Sequence, residues 1–246
     1  MRNGEHPRWL NGDVSDLLVM GYGGSAGLSN GVELKRRADE SFKHAEFRLE
    51  NHQNKYDLID SVLALKRAMQ ARLEHLDEIY GFKQYPDCKT RGWLGVLEGW
   101  GAVRQRMLKR MNGLRNAVEH DGASPPAVDE CEDYREVVWW FLKATAPLLE
   151  PIEDFDFQWG DSTGVIDISY NPLGVELWGR FTAEHICDSA RPGWIEVQPI
   201  PSRHAKTKGE MTPIFDADTG LYYLCAKASS WESVRPFFEV SMDIIG

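Results

Sequence analysis

Leu58, Val62, Leu65, Met69, Leu73 and Leu76 recur at three- and four-residue steps through a charged background. That spacing places one apolar stripe on a helix and predicts an amphipathic α-helix. The preceding segment, 32–54, is more polar, and it is expected to pair with that helix through Phe42, Phe47 and Leu49. Gly, Pro and Asp in GFKQYPDCKTRG (81–92) predict a connection. A third stripe, Leu94, Leu97, Trp100, Val103, Met107, Met111, Leu114 and Val118, predicts one long helix. It should end near Asp121, because Gly122, Pro125 and Pro126 follow. A fourth helix is expected from about Asp129 to Leu149. Asp129, Glu130 and Glu132 suit the dipole of its first turn, and its apolar centre VVWWFL should be buried.

After Pro151 the period changes. VIDISY, GVELWGR, WIEVQPI and LYYLCAK alternate or are rich in β-formers, and YNPLG, SARPG and DADTG separate them as turns. The first thirty residues are Gly- and Asn-rich around LLVM (17–20), an arm or a short strand. The expected fold class is therefore α+β. An N-terminal arm (1–30) leads into a four-helix bundle (31–150), which is followed by a small, mostly antiparallel β domain (151–246).

The chain has 246 residues, 42% hydrophobic and 27% charged, an ordinary balance for a folded globular protein. VVWWFL is its longest apolar run, too short to span a bilayer, and the N-terminus lacks a signal-peptide core. A cytoplasmic protein without membrane association is expected. The net charge of -10 argues against broad coating of nucleic acid, but charge is unevenly spread. Residues 151–246 hold 7 basic and 15 acidic side chains, which disfavours RNA as that part's ligand and points to a protein partner there. By contrast, Arg91, Arg104, Arg106, Lys109, Arg110 and Arg115 are opposed only by Glu98 and Glu119 between residues 91 and 120. This local basic strip suits phosphates, with Arg104, Lys109 and Arg110 as candidate RNA-binding residues.

Cys88, Cys131, Cys187 and Cys225 are scattered, with no CxxC and no zinc-type spacing, so neither metal nor cofactor is expected. GYGGSAG (21–27) overlaps GxGxxA and GxSxG. The first needs a βαβ unit and the second a preceding central sheet, and the pattern around it supplies neither. DADTG (216–220) begins like a calcium loop, but Lys227 stands where the bidentate glutamate belongs. EDFDF (153–157) is expected to be a solvated interdomain loop.

One motif remains. In GLRNAVEHDG (113–122) an arginine and a histidine stand five residues apart in the basic strip. The same spacing recurs at Arg180 and His185, so context has to choose between them. An i,i+4 pair of Arg115 with Glu119, with His120 on the helix C-terminus, would account for these charges without chemistry.

RNAVEH, followed by the proline-containing SPPAV and the apolar EDYREVVWWFLKATAPLL, resembles the HEPN (higher eukaryotes and prokaryotes nucleotide-binding) domains over about residues 31–150. The resemblance implies a metal-independent endoribonuclease, an effector or toxin of a prokaryotic defence or toxin–antitoxin system. Arg115 and His120 would be its catalytic residues, with Asn116, Glu119 and Asp121 in support. Attack by an RNA 2′-hydroxyl needs a proton acceptor, a proton donor and a fixed cation, which histidine and arginine supply. On an ideal helix Arg115 and His120 project roughly 140° apart. A composite cleft in a homodimer built on the last two helices is therefore expected, as in that family. Some HEPN-like domains are non-catalytic nucleotide- or protein-binding scaffolds, which is the alternative reading.

Overall fold

The computed structural model describes residues 8–24, 31–104, 106–107, 109–110, 113 and 127–245. The chain divides into two compact units, residues 26–150 and residues 1–25 with 151–246.

The helical unit is organised by α1 (Gly31–Glu50) and α2 (Lys55–Tyr80). The buried face of α1 is Leu34, Ala38, Phe42, Ala45 and Leu49, while Phe47 is exposed rather than paired with α2 as expected. All six residues of the α2 stripe are buried. The two helices run antiparallel: the Ser61 hydroxyl donates to the Ala45 carbonyl, Arg48 pairs with Asp57 and Asp60, and Arg37 with Glu74. Asn54 caps α2 by accepting from Tyr56 N–H, and Asp57 accepts from Asn54 N–H, so orphan amides at this end are satisfied locally. Gly81, at φ 59°, ends the helix in the left-handed conformation that glycine adopts without Cβ strain.

The expected connection at 81–92 is mostly helical. After a 3-10 turn at Phe82–Gln84, α3 begins at Pro86 and runs to Gly99, kinked at Gly92. Proline is favoured in a first helical turn because its missing N–H would be unpaired there anyway. The long third helix is also interrupted. Gly101, at φ 77°, breaks the path after Trp100, and helix resumes by Arg106. Trp100 instead joins a cluster with Tyr80, Phe82 and Tyr85 at ring separations of 5.0–5.7 Å. The last described helix of this unit is α4 (Val128–Ala144), followed by a 3-10 turn at Pro147–Leu149. Within VVWWFL, Val137, Val138, Phe141 and Leu142 are buried, but Trp139 and Trp140 are 40% and 52% exposed.

The β-rich unit corrects the expected fold class most. Its strands are β1 (Arg8–Asn11), β2 (Leu17–Gly24), β3 (Ile152–Trp159), β4 (Ser162–Tyr170), β5 (Leu173–Phe181), β6 (Ile186–Cys187), β7 (Trp194–Pro199), β8 (Ile214–Asp216) and β9 (Leu221–Ala228). They form one nine-stranded antiparallel sheet in the order β2-β3-β4-β5-β9-β7-β1-β6, with β8 on β9. The sheet is large rather than small, because the N-terminal residues add β1 and β2, and EDFDF is part of β3 rather than a loop. Nor do the helices make a clear N-terminal four-helix bundle: one of the five described α-helices, α5 (Trp231–Ile245), lies at the other end of the chain. Its buried residues Val234, Phe237, Phe238 and Ser241 accompany a sheet core of Phe155, Ile166, Ile168, Val175, Leu177 and Leu224. Tyr170 links the layers, with its hydroxyl 3.2 Å from Ser241 Oγ and its ring 5.9 Å from Phe238. Among the described residues no helix is long and apolar enough to cross a membrane.

Candidate functional site

The basic strip starts where α3 stops. Val103 is buried and anchors the turn, and Arg104 follows in an exposed, non-helical position. Arg106, Lys109 and Arg110 are helical and exposed. Arg91, the earlier member of the strip, is drawn instead into an ion pair with Glu98 on its own helix. The structure therefore presents Arg104, Arg106, Lys109 and Arg110 to solvent as a succession of cations. Among the described residues Arg110 alone of these has an acidic partner near, Asp133 of α4 at 3.8 Å, an exposed pair of small energetic weight.

Gly113 lies beside α4. A Cβ placed on Gly113, the first residue of GLRNAVEHDG, would lie 3.9 Å from the Tyr134 hydroxyl. Tyr134 donates to Glu130 at 3.1 Å, and burial, with that carboxylate, pushes its pKa above the ordinary phenol value. Arg115, Asn116, Glu119, His120 and Asp121 themselves lie outside the described residues, so their expected roles are tested by chemistry below.

The competing Arg180 and His185 pair does not converge. His185 is half-buried, stacked on Trp159 at 4.0 Å with 17° between the planes, and its Nδ1 lies 2.8 Å from Ser162 Oγ and 3.3 Å from Thr182 Oγ1. Ser162 is fully buried and accepts the Thr182 N–H, so this serine–histidine pair closes a strand end and offers no open nucleophile. Burial lowers the His185 pKa against a smaller opposing effect of Glu184. Arg180 is exposed on β5 and lines a cavity that His185 does not.

No family model, curated protein or solved structure matches this chain. Function must therefore be argued from its own residues.

The glycine-rich segment carries neither enzymatic pattern in its described part. Gly21, Gly23 and Gly24 belong to β2, which pairs antiparallel with β3, and the dinucleotide fold needs a parallel βαβ unit. Nor do the tryptophans of the β-rich unit offer open platforms for stacking bases: Trp159 is buried against His185, while Trp178, Trp194 and Trp231 are half-buried. The guanidiniums of Arg203 and Arg191 already cover Trp178 and Trp194.

Sequence reading missed a cavity in the β-rich unit lined by Arg180, His204, Lys206, Thr207, Phe215 and Tyr223, among others. A faint signal existed. Arg203, His204, Lys206 and Lys208 fall within six residues in a part of the chain that is otherwise acidic. Only the fold shows what that island faces.

Proposed function

We propose that the chain is a metal-independent endoribonuclease of HEPN type, with Arg115 and His120 as its catalytic pair. The observation that carries this reading is the run of exposed cations, Arg104, Arg106, Lys109 and Arg110, leading into RNAVEH in a protein of net charge -10. Such a run attracts a phosphate backbone locally while the rest of the molecule repels it. His120 takes the proton of the attacking 2′-hydroxyl or returns one to the leaving oxygen, and Arg115 holds the phosphate as charge develops. Asn116, Glu119 and Asp121 orient the strand or the imidazole.

A homodimer through the last helices of the helical unit completes the cleft in this proposal. The exposed neighbours Trp139 and Trp140, packed edge to face at 4.8 Å, supply α4 with apolar surface for such a contact. The biological role that fits is an effector or toxin of a prokaryotic defence or toxin–antitoxin system. Its neutralising protein would be met by the acidic β-rich unit.

The test is incubation of purified wild-type and His120→Ala protein with total and transfer RNA in EDTA, followed by analysis of fragment ends. Cleavage by wild type alone, leaving cyclic phosphate or 3′-phosphate ends, is the expected result. Equal cleavage by both proteins, or none by wild type, overturns the catalytic reading and leaves a binding scaffold.

A further inference from the structure

Strand β2 ends the sheet. It pairs with β3 on one side, and no strand among the described residues pairs with it on the other. The N–H and C=O groups of such an edge are a template for another strand, and folded proteins usually blunt it with lysine, proline or inward charge. LLVMGYGG (17–24) has none of these, and its Leu18, Met20 and Tyr22 are exposed. The pairing with β3 slips at Met20 and again before Gly24, which leaves Leu17–Val19 as the regular run at the start of the edge.

That run forms one wall of a groove. Leu17 and Val19 oppose Trp159 and Phe157 and so share the core side of the sheet. The other wall is α5, which carries two apolar stripes. Val234, Phe237 and Phe238 are buried in the core, while Pro236, Val240 and Ile244, at four-residue steps, are half-buried and line the groove. From Glu232 to Ile244 this wall runs roughly 18 Å, the length of a strand of about five or six residues. The connection from β1 also lines the groove, and its own hydrogen bonds hold it. Asn11 Oδ1 accepts the Asp13 N–H at 3.0 Å, Asp13 Oδ1 accepts the Ser15 N–H at 3.1 Å, and the Gly12 N–H donates to the Gly193 carbonyl at 3.0 Å. A Cβ on Gly12 would collide with that carbonyl, so the approach requires glycine. Walls fixed before a partner arrives reduce the ordering cost of binding.

The groove encloses about 580 Å³, and both its banks are acidic. Asp13, Glu232, Glu239 and Asp243 line it against one cation, Arg235, which pairs with Glu239 at 2.7 Å. Asp13, Glu232 and Asp243 have no cationic partner among the described residues. Across β2, the exposed Asp156 and Asp154 oppose Gly21 and Gly23. A Cβ at Gly23 would stand 2.7 Å from the Asp154 carboxylate, so glycine leaves these carboxylates open toward the edge.

We propose that this groove binds an extended segment of a partner protein in which basic and apolar residues alternate, added as a strand to the free edge of β2. The partner's main chain completes the hydrogen bonds of the edge, and its alternate side chains go to opposite faces. The apolar set settles on Val19, Val240 and Ile244. Lysines or arginines of the other set reach Glu239 and Asp243 on one bank and Asp154 and Asp156 on the other. The carboxylates repel a nucleic-acid strand, so charge selects a basic polypeptide.

The test uses the full chain and a fluorescein-labelled peptide of alternating lysine and valine, followed by fluorescence anisotropy and hydrogen exchange. A Kd below about 1 mM is expected, with amides of residues 17–24 protected. The matching Glu–Val peptide, and spermidine as a competitor, should bind at least about tenfold more weakly. Two further peptides are N-methylated at alternate positions, which blocks the amides on one side of a strand or the other. One should lose about tenfold in affinity and the other should keep it. The double substitution Glu239→Lys, Asp243→Lys, at exposed positions, should weaken binding about tenfold while melting like wild type. No binding of the Lys–Val peptide, or no protection within 17–24, would overturn the proposal. So would equal effects of the two N-methylated isomers, the mark of a docked helix, or affinity unchanged by the charge reversal. None of these outcomes depends on whether Arg115 and His120 cleave RNA.

Discussion

Arg72 of α2 is 3% exposed and donates from one terminal nitrogen to the Leu142 carbonyl at 2.8 Å and to Thr145 Oγ1 at 3.0 Å. These acceptors lie in the last turn of α4, where carbonyls lack helical partners and carry partial negative charge. One buried arginine therefore joins two helices through a C-terminal cap. Tyr80, two turns further along α2, donates to the Leu148 carbonyl of the following 3-10 turn at 3.0 Å.

Removing that cap should be costly. Arg72→Ala strands the Leu142 carbonyl and leaves a void, and a loss of about 2–4 kcal/mol is expected from an unsatisfied buried acceptor with lost packing. Denaturant unfolding monitored by circular dichroism measures it. A change below about 0.5 kcal/mol, the size expected of an ordinary surface substitution, would show that α4 is held by its apolar face alone.

His75, one turn from Arg72, gives the helical unit a pH dependence. Its Nδ1 is buried without a hydrogen-bond partner among the described residues, and burial, then the charges of Arg72 and Lys35, lower its pKa. A base whose folded pKa lies below its unfolded value is protonated first in the unfolded chain, so stability falls as pH drops through about 6.5. Melting temperatures between pH 7.5 and 5.5 should fall more for wild type than for His75→Leu. Parallel curves would dismiss His75 as the source.

The two Arg/His spacings predict opposite phenotypes. His120→Ala should abolish RNA cleavage with little change in melting temperature. His185→Ala should leave any cleavage intact while destabilising the β-rich unit, because it removes the stack on Trp159 and the partner of Ser162. A loss of about 1–3 kcal/mol is expected from the lost ring contact and from a buried hydroxyl that keeps only the Thr182 N–H as a partner. Loss of cleavage in His185→Ala at unchanged stability would reverse the assignment.

The proposed dimer is tested at its exposed aromatics. The double substitution Trp139→Glu, Trp140→Glu should shift the protein from dimer to monomer in sedimentation velocity and remove cleavage, with the fold retained. A monomeric wild type that still cleaves RNA would show that the cleft is complete within one chain.

Much of the local structure was legible in the order of residues. The α2 stripe and the strands around VIDISY, GVELWGR and LYYLCAK follow from side-chain periods of 3.6 and 2, and the start of α4 from its acidic first turn, all of which neighbours in sequence dictate. The basic strip was legible for the same reason: charge in a helix-forming segment stays near the residues that carry it. Where the reading failed, competing signals had equal local claims. Phe47 fits an apolar face by type but lies off the one α1 uses, and the stretch expected to be β domain ends in the helix α5, which keeps Pro236 in its second turn.

Tertiary structure alone decided what pairs with what. The identities of residues 8–24 do not reveal that they extend a sheet whose other strands begin at residue 152, because antiparallel pairing across such a separation depends on complementary edges and buried area. The same holds for EDFDF. Its three carboxylates read as solvated, yet in a strand Phe155 and Phe157 fill the core while Asp154 and Asp156 face out. It holds for the cavity too, whose Arg180, His204 and Tyr223 meet only because β5 and the connection after β7 converge on β9. The sequence by itself determined the periods, the charge islands and the RNAVEH motif, all set by nearest neighbours. The sheet order, the link from Arg72 to α4 and that cavity required long-range packing, which no local pattern encodes.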